Sequence, residues 1–374
     1  MKGTRHTALD AYRLLCMFLI TSIHVFGYSR LLQDGLIPST HFNFYAVSLI
    51  SALQILAVNG FVMISAYFLV NKGNALARIV RFELQLVVYS LLIFAVAAPL
   101  VIGKTAVSPI HGGLFSLFPV LTQHYWYPVC YLILLVMAPI FNKIINAISR
   151  TDHLRLIVAL GFICTVFFRL NPFFEADPYV GHVTHGLLWF FTLYLITAYI
   201  KLYPIKNTVL FGPVLFSVCT ATVWILTMIR YNVFGILDAA PILRTLFERV
   251  DLLSYSSLPS LLMAISSFVT FSQIKTRPQG RTVAAFGAVT PSFFAIYLIQ
   301  EHIMVKDALW KFVNVARWAT SPLLIPVTLL VFVCLAVAAV ILYAVYRLLN
   351  KLFLDRVASW ICRGITRLRK KIKL

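Results

Sequence analysis

Ten long apolar segments, separated by charged or Pro- and Gly-containing stretches, constrain the fold of this 374-residue chain more than any other feature. Hydrophobic residues make up 61% of the sequence, charged residues 12%, and the mean hydropathy is +0.89. Soluble proteins average about 25% charged residues, and roughly 20 consecutive apolar residues form a helix that crosses a bilayer. The sequence therefore predicts an all-α polytopic membrane protein with about ten transmembrane helices, at residues 8–28, 43–70, 81–102, 125–148, 154–170, 186–203, 208–230, 252–274, 284–310 and 321–346.

The distribution of positive charge predicts the orientation of these helices. With the N-terminus inside, 22 of the 32 lysines and arginines fall on the inner side and nine on the outer side, and Arg13 lies within the first segment. Because cytoplasmic loops collect Lys and Arg, both termini are expected in the cytoplasm. The net charge of +20 is explained in the same way, so the lipid bilayer is the expected partner and nucleic acid is not.

The segment pattern predicts one membrane domain over residues 1–350, followed by a basic cytoplasmic tail at residues 351–374 that touches anionic lipid. Residues 103–124 and 171–185 contain Pro and Gly and are expected to be loops.

The first apolar segment carries three ionisable side chains on nearly one helical face. Arg13 and His24 are eleven positions apart, about three turns and roughly 16 Å along the axis, and Asp10 lies one turn before Arg13. Ionisable groups within a membrane helix are a functional hypothesis by default. A neutral imidazole can accept a proton, whereas an arginine binds or pairs with negative charge. Arg13 could instead reach the inner headgroups with Asp10, and His24 could be an interfacial histidine.

Five sequence blocks, in order, give the chain a resemblance to a known family. They are the Asp10, Arg13 and His24 set, Phe61-Val-Met-Ile-Ser-Ala-Tyr67, His124-Tyr-Trp-Tyr127, Trp189-Phe-Phe-Thr-Leu-Tyr-Leu-Ile-Thr-Ala-Tyr199 and Phe294-Ala-Ile-Tyr-Leu-Ile-Gln300. These blocks resemble the acyltransferase-3 family of bacterial membrane acyltransferases. Two positions depart from the family pattern: Ala66 replaces a glycine, and Gln300 stands where many members have histidine.

The resemblance implies an O-acyltransferase of the bacterial plasma membrane that moves an acyl group, usually acetyl, from cytoplasmic coenzyme A to a hydroxyl of a surface glycan. It implies a catalytic role for His24, Arg13 and Asp10, with His24 as general base or covalent acyl relay. Acetyl-coenzyme A is the expected acyl donor, and its phosphates need cations. Arg13, Lys72, Arg78 and Arg81 are the expected cofactor-binding residues, although the last three could be ordinary inner-side charge.

Several outer-side residues are candidates for the glycan acceptor: His124, Trp126, His185 and Glu301. Hydrogen-bonding side chains and aromatic faces suit a sugar, but interfacial aromatic residues also collect at this level of a membrane. His182 and His185 alone are too few ligands for zinc, so no metal site is predicted.

Two other functions remain open from the sequence. A transporter or flippase for a glycan or lipid-linked sugar would be expected to show inverted repeats and paired broken helices, and a glycan polymerase would be expected to show a large outer loop with several arginines. The sequence leaves open the glycan, the acyl group and the oligomeric state.

Overall fold

The computed structural model describes residues 6–371 except residues 74, 102–104, 106, 168–185, 250–252 and 275–286. All regular secondary structure within these described residues is helical, in agreement with the predicted all-α class. The α-helices of this part of the chain are α1 Thr7–Tyr28, α2 Phe42–Gln54, α3 Ala57–Leu69, α4 Ala75–Val101, α5 Pro109–Leu117, α6 Trp126–Ala147, α7 Arg150–Phe162, α8 Leu187–Leu202, α9 Leu215–Arg230, α10 Ile236–Ala239, α11 Pro241–Arg249, α12 Leu258–Gln273, α13 Phe293–Glu301, α14 Lys306–Val313, α15 Leu324–Leu349 and α16 Asp355–Lys371.

Six helical stretches in the described residues are long and apolar enough to cross a membrane: Thr7–Tyr28, Phe42–Leu69, Ala75–Val101, Trp126–Ala147, Leu210–Arg230 and Leu324–Leu368. A seventh is obtained when the bent pair Gly287–Glu301 and Lys306–Trp318 is taken as one span. The fifth, sixth and eighth predicted segments overlap the shorter helices α7, α8 and α12. The total of about ten spans and the orientation of the termini therefore stay predictions.

The ninth predicted segment, residues 284–310, is not one straight helix. Its described part ends α13 at Glu301 and resumes as α14 at Lys306, with a bend of 88° between the two helical stretches. His302 has an extended backbone conformation, with φ −64° and ψ 131°, which stops the helical hydrogen-bond pattern. Apolar composition predicts the length of such a segment but carries no signal for this break.

The predicted loop at residues 103–124 contains a helix, α5, so this part of the prediction was wrong. Ser108 precedes the helix, and its hydroxyl accepts a hydrogen bond from the His111 backbone amide at 3.3 Å. Pro109 occupies the first helical turn, where the lack of an amide hydrogen does no harm. The predicted loop at residues 171–185 lies outside the described residues.

The chain forms two compact units. The first contains the described residues of Met1–Val70, Ile144–Thr290 and Asn314–Phe332, and the second those of Asn71–Lys143, Pro291–Val313 and Val333–Leu374. In the first unit α1 packs on α2, α3 and α12, around fully buried side chains that include Tyr12, Trp189 and Phe268. In the second unit α4 packs against α5, α13 and α16. The predicted C-terminal tail is thus helical over Asp355–Lys371.

Candidate functional site

The first helix brings together two of the three predicted catalytic residues. Arg13 Nη1 lies 3.4 Å from Asp10 Oδ1, and this ion pair spans one turn of α1. Asp10 is buried, and the Arg13 side chain is 21% exposed. Removing a charge from water is expensive unless a partner compensates, and the contact between Asp10 and Arg13 offsets part of that cost.

His24 lies on the same helical face, about 16 Å further along α1 at the standard rise per residue. The side chain is half-buried, and its ring meets Tyr28 edge-on with centroids 6.2 Å apart. The Arg13 guanidinium and the His24 imidazole are therefore about three turns apart on one continuous helix. A single small group cannot touch both side chains, whereas an elongated ligand can.

A close helix contact holds α1 in position. The Tyr12 hydroxyl and Ser267 Oγ on α12 are hydrogen-bonded at 2.7 Å, and the Tyr12 ring stacks on Phe271 with centroids 4.8 Å apart. A Cβ atom added at Gly60 on α3 would lie 2.5 Å from the Tyr12 hydroxyl oxygen and 2.7 Å from Cys16 Sγ. The contact between α1 and α3 thus requires a glycine at this position, directly beside the turn that carries Arg13.

Asn59 makes the central polar connection of the first unit. Its buried amide nitrogen donates to the Tyr255 carbonyl at 2.6 Å and to Ser260 Oγ at 2.9 Å, and its oxygen accepts from Trp189 Nε1 at 2.7 Å. Gln54 Nε2 similarly donates to Ser22 Oγ on α1 at 2.9 Å. The two amides thus join neighbouring helices, which in a membrane is a stabilising use of buried amides.

The three predicted cofactor-binding cations of the second unit differ in their surroundings. Lys72 is exposed. Arg78 turns back on the chain and donates to the Gly73 carbonyl at 2.5 Å and the Lys72 carbonyl at 3.2 Å. Arg81 Nη2 lies 3.4 Å from Asp355 Oδ1, in a pair whose side chains are 64% and 56% exposed. Lys72 and Arg81 are therefore accessible to an anionic ligand, whereas Arg78 also orders the connection between α3 and α4.

Lys201, which the charge pattern of the sequence marks only as an inner-side cation, has specific contacts in the structure. Its Nζ atom donates to the Tyr67 carbonyl at 2.6 Å and to the Val70 carbonyl at 3.2 Å, and lies 4.7 Å from the centre of the Tyr67 ring. A cation at the carboxyl end of a helix satisfies carbonyls that have no helical partner. These hydrogen bonds join the end of the Phe61–Tyr67 block to Lys201 on α8. The sequence alone does not indicate this contact, because the tertiary fold brings the two segments together.

Two histidines hold the break between α13 and α14 in the second unit. His302 is fully buried, its Nδ1 accepts from the Met304 amide at 3.2 Å, and its Nε2 lies 3.1 Å from both Ser116 Oγ and the Ser90 carbonyl. Because Nδ1 accepts a hydrogen bond, the ring proton is on Nε2, which donates to the Ser90 carbonyl and Ser116 Oγ. His302 is thus a neutral imidazole that joins the break to α4 and α5.

His124, a predicted sugar-binding residue, also stabilises the break between α13 and α14. Its Nε2 accepts a hydrogen bond from the Ile303 amide at 2.9 Å, and its ring centroid lies 5.5 Å from that of His302. Burial, with smaller contributions from the nearby His302 and Lys306, lowers the pKa of His124 to about 3. His124 is therefore uncharged at neutral pH and able to accept this bond.

Trp126 and Glu301 are the other predicted acceptor residues in the described part of the chain. Trp126 begins α6 and is 41% exposed, while Glu301 ends α13 immediately before the break. His124 thus lies beside the turn that follows Glu301. His182 and His185 are outside the described residues. Within the residues that are described, no group of three or more His, Cys, Asp or Glu side chains could hold a metal ion.

The side chain of Gln300 has unusual surroundings for an amide. Its side chain is fully buried, and within the described part of the chain neither amide atom has a hydrogen-bond partner. A buried amide in this state is destabilising unless a water or a ligand group satisfies it. Gln300 is therefore a candidate contact for a bound molecule at the end of α13.

Comparison with known proteins gives one match. Residues 6–351 match the family model described as an acyltransferase domain, which includes α1 and continues just past the end of α15. Neither the curated proteins nor the solved structures contain a significant match.

Proposed function

This chain belongs to the family of membrane acyltransferases whose model spans residues 6–351, and we propose that it moves an acetyl group from cytoplasmic acetyl-coenzyme A to a hydroxyl of a surface or exported glycan. The observation that carries the proposal is α1 itself. Its Asp10–Arg13 ion pair and His24 imidazole lie on one face, about three turns apart, within a chain that matches an acyltransferase family over most of its length.

The separation of Arg13 and His24 suits the shape of the donor. Coenzyme A carries its phosphates at one end and its thioester at the other end of an elongated pantetheine arm. A guanidinium recognises phosphate oxygens through two parallel hydrogen bonds, so Arg13 is assigned to the pyrophosphate. His24 is then assigned to the thioester, and Lys72, Arg78 and Arg81 are assigned to the remaining phosphates near the cytoplasmic entrance.

The reaction needs a base because a sugar hydroxyl is a weak nucleophile. His24 takes the hydroxyl proton as the sugar oxygen attacks the thioester carbonyl, the carbon–sulfur bond breaks, and the coenzyme A thiolate leaves and receives a proton. In the relay form, the His24 nitrogen attacks the thioester carbonyl and the carbon–sulfur bond breaks, so that coenzyme A leaves as the thiol. The sugar oxygen then attacks the acetyl carbonyl, the carbon–nitrogen bond breaks, and the freed imidazole takes the hydroxyl proton. His124, Trp126, His185 and Glu301 remain the proposed acceptor contacts, and no metal is assigned a role.

The test uses purified protein in nanodiscs with radiolabelled acetyl-coenzyme A. His24→Ala is expected to abolish thioester cleavage while retaining donor binding, and Arg13→Gln is expected to weaken donor binding. His111→Ala replaces an exposed histidine, and Arg30→Gln breaks an exposed ion pair to Asp34 that resembles the Asp10–Arg13 pair. Both of these control variants are expected to behave like the wild type.

Label retained on wild-type protein but absent from His24→Ala supports the relay, whereas label found only on product supports the base. A folded wild-type protein that neither binds nor cleaves acetyl-coenzyme A overturns the proposal. Transport of a glycan or lipid-linked sugar would then be the better account.

A further inference from the structure

The first unit contains a cavity of about 510 Å³ at the carboxyl ends of α1 and α9. This volume lies within the range of small-molecule sites, about 300–1,000 Å³. The walls come from α1, α2, α9 and the segment before α12, and the residues that bear on its chemistry are Phe26, Gln33, Ser51, Gln54, Arg230 and Tyr231.

Polar side chains interrupt the largely apolar wall of the cavity. Arg230 ends α9, and Gln33 lies in the connection after α1, whereas Gln54 lies about 18 Å from the start of α2 at the standard helical rise. The Gln54 amide is oriented by its bond to Ser22, and its oxygen accepts no hydrogen bond from the described residues. Ser51 likewise has no hydrogen-bond partner within the described ranges. A hydrocarbon tail would leave these groups unsatisfied, so the cavity suits a hydroxyl-bearing ligand.

Arg230 differs from the other outer-side arginines whose side chains are described. Arg30 pairs with Asp34 at 2.8 Å, Arg244 pairs with Asp238 at 2.8 Å, and Arg317 lies 5.8 Å from the centre of the Trp318 ring. Arg230 lines the cavity and has no carboxylate within ion-pair distance in the part of the chain that the structure describes. A cation that lines a cavity beside neutral hydrogen-bonding groups favours an anionic ligand.

His24 does not line this cavity. Ile23, Phe26 and Gly27 do, and they lie on faces of α1 turned by roughly 60–160° from His24. A molecule in the cavity is therefore alongside the proposed catalytic face and not on it.

We propose that this cavity binds an acidic or phosphorylated sugar unit, with its anionic group on Arg230, its hydroxyls on Ser51 and Gln54, and its ring against Tyr231. In this arrangement it recognises a unit of the glycan acceptor next to the one that is acetylated. That assignment to the acceptor rests on the proposed function, whereas binding of the charged sugar does not.

The test measures saturation-transfer NMR signals from glucuronic acid, glucose 1-phosphate and glucose with protein in phosphatidylcholine nanodiscs. The two charged sugars are expected to bind the wild type about tenfold more tightly than glucose, the effect of one charge-assisted hydrogen bond. Arg230→Gln is expected to remove this preference, and Ser51→Ala is expected to weaken the binding of all three sugars. Arg317→Gln, which changes an exposed arginine outside the cavity, is expected to retain the wild-type pattern.

Absence of binding by all three sugars, or an unchanged preference in Arg230→Gln, overturns the proposal. Displacement of the sugars by glycerol 1-phosphate or by anionic lipid in the nanodisc, without selectivity for the sugar, would instead assign the cavity to a lipid headgroup. His24-dependent cleavage of acetyl-coenzyme A is measured in the same preparations. Cleavage without sugar binding removes this inference alone, and sugar binding without cleavage removes the proposed function alone.

Discussion

Replacing Gly60 by alanine should strongly disturb the packing that positions α1. The added methyl carbon would lie 2.5 Å from the Tyr12 hydroxyl oxygen, 2.7 Å from Cys16 Sγ and 2.8 Å from Tyr12 Cζ. Tyr12 and Cys16 are fully buried, so neither side chain can swing into solvent. One of the two helices must therefore move, or the Tyr12–Ser267 hydrogen bond must break.

The expected change in the free energy of unfolding combines two destabilising contributions and one stabilising contribution. Overpacking of a dense core costs about 1–3 kcal/mol, and losing the Tyr12 hydrogen bond adds about 1 kcal/mol. Alanine offsets this by about 1 kcal/mol because glycine is a poor helix former. The free energy of unfolding should thus fall by about 1–3 kcal/mol. At roughly 2 °C per kcal/mol for a large domain, the melting temperature should fall by about 2–6 °C.

The assay is a thermal melt of detergent-purified protein followed by intrinsic tryptophan fluorescence. Gly364→Ala is the matched control, because Gly364 lies within α16 and an added Cβ would meet nothing within 4 Å. That variant should be as stable as the wild type or slightly more stable. Thioester cleavage should fall in Gly60→Ala, since Tyr12 immediately precedes Arg13.

A double variant tests the assigned cause. Tyr12→Phe removes the atom nearest the new methyl group, so the losses in Gly60→Ala and Tyr12→Phe should combine to less than their sum. Equal stability of Gly60→Ala and Gly364→Ala would refute the reasoning, and so would strictly additive losses in the double variant.

Three further outcomes are expected. Asn59→Leu leaves the buried Trp189 indole without its acceptor and should lower the free energy of unfolding by about 1–3 kcal/mol; a melting temperature within error of the wild type contradicts this. The pKa of His124 is lowered from about 6.5 to about 3, so its contribution to the free energy of unfolding is complete above pH 6.5 and is lost as pH falls towards 3. The melting temperature between pH 7 and 4 should therefore decline less in His124→Gln, because the glutamine amide oxygen can accept the same hydrogen bond without titrating. Equal declines in the variant and the wild type would refute this. Asp355→Asn removes the carboxylate beside Arg81 and should tighten acetyl-coenzyme A binding by up to about fivefold, which corresponds to the energy of an exposed ion pair. An unchanged dissociation constant would exclude Arg81 from the phosphate site.

The sequence predicted much of the first helix and its ion pair. Helical periodicity places Asp10 and Arg13 one turn apart, and the structure confirms their contact at 3.4 Å. The same periodicity places His24 on that face, and its catalytic role stays a prediction. The family resemblance, carried by short blocks along the chain, is confirmed by the match over residues 6–351.

The positive-inside pattern was less informative about individual cations. Lys201 and Arg78 were both inner-side charges in the sequence, yet each binds backbone carbonyls near the end of α3 or the start of α4. Arg81 has an acidic partner that lies far along the chain, at Asp355. A count of charges predicts which side of the membrane a residue faces, but not what its side chain contacts.

The sequence by itself determined the helical class, the apolar segments, the family and the linear order of Asp10, Arg13 and His24, because hydrophobicity and helical period are local properties. Only the tertiary structure decided the break at His302, the close contact at Gly60 and the cavity beside Arg230. Each depends on atoms contributed by segments distant in the chain, and packing brings those atoms within a few ångströms. Local patterns cannot specify that proximity, because the same apolar helices could pack in several ways that satisfy hydropathy equally well.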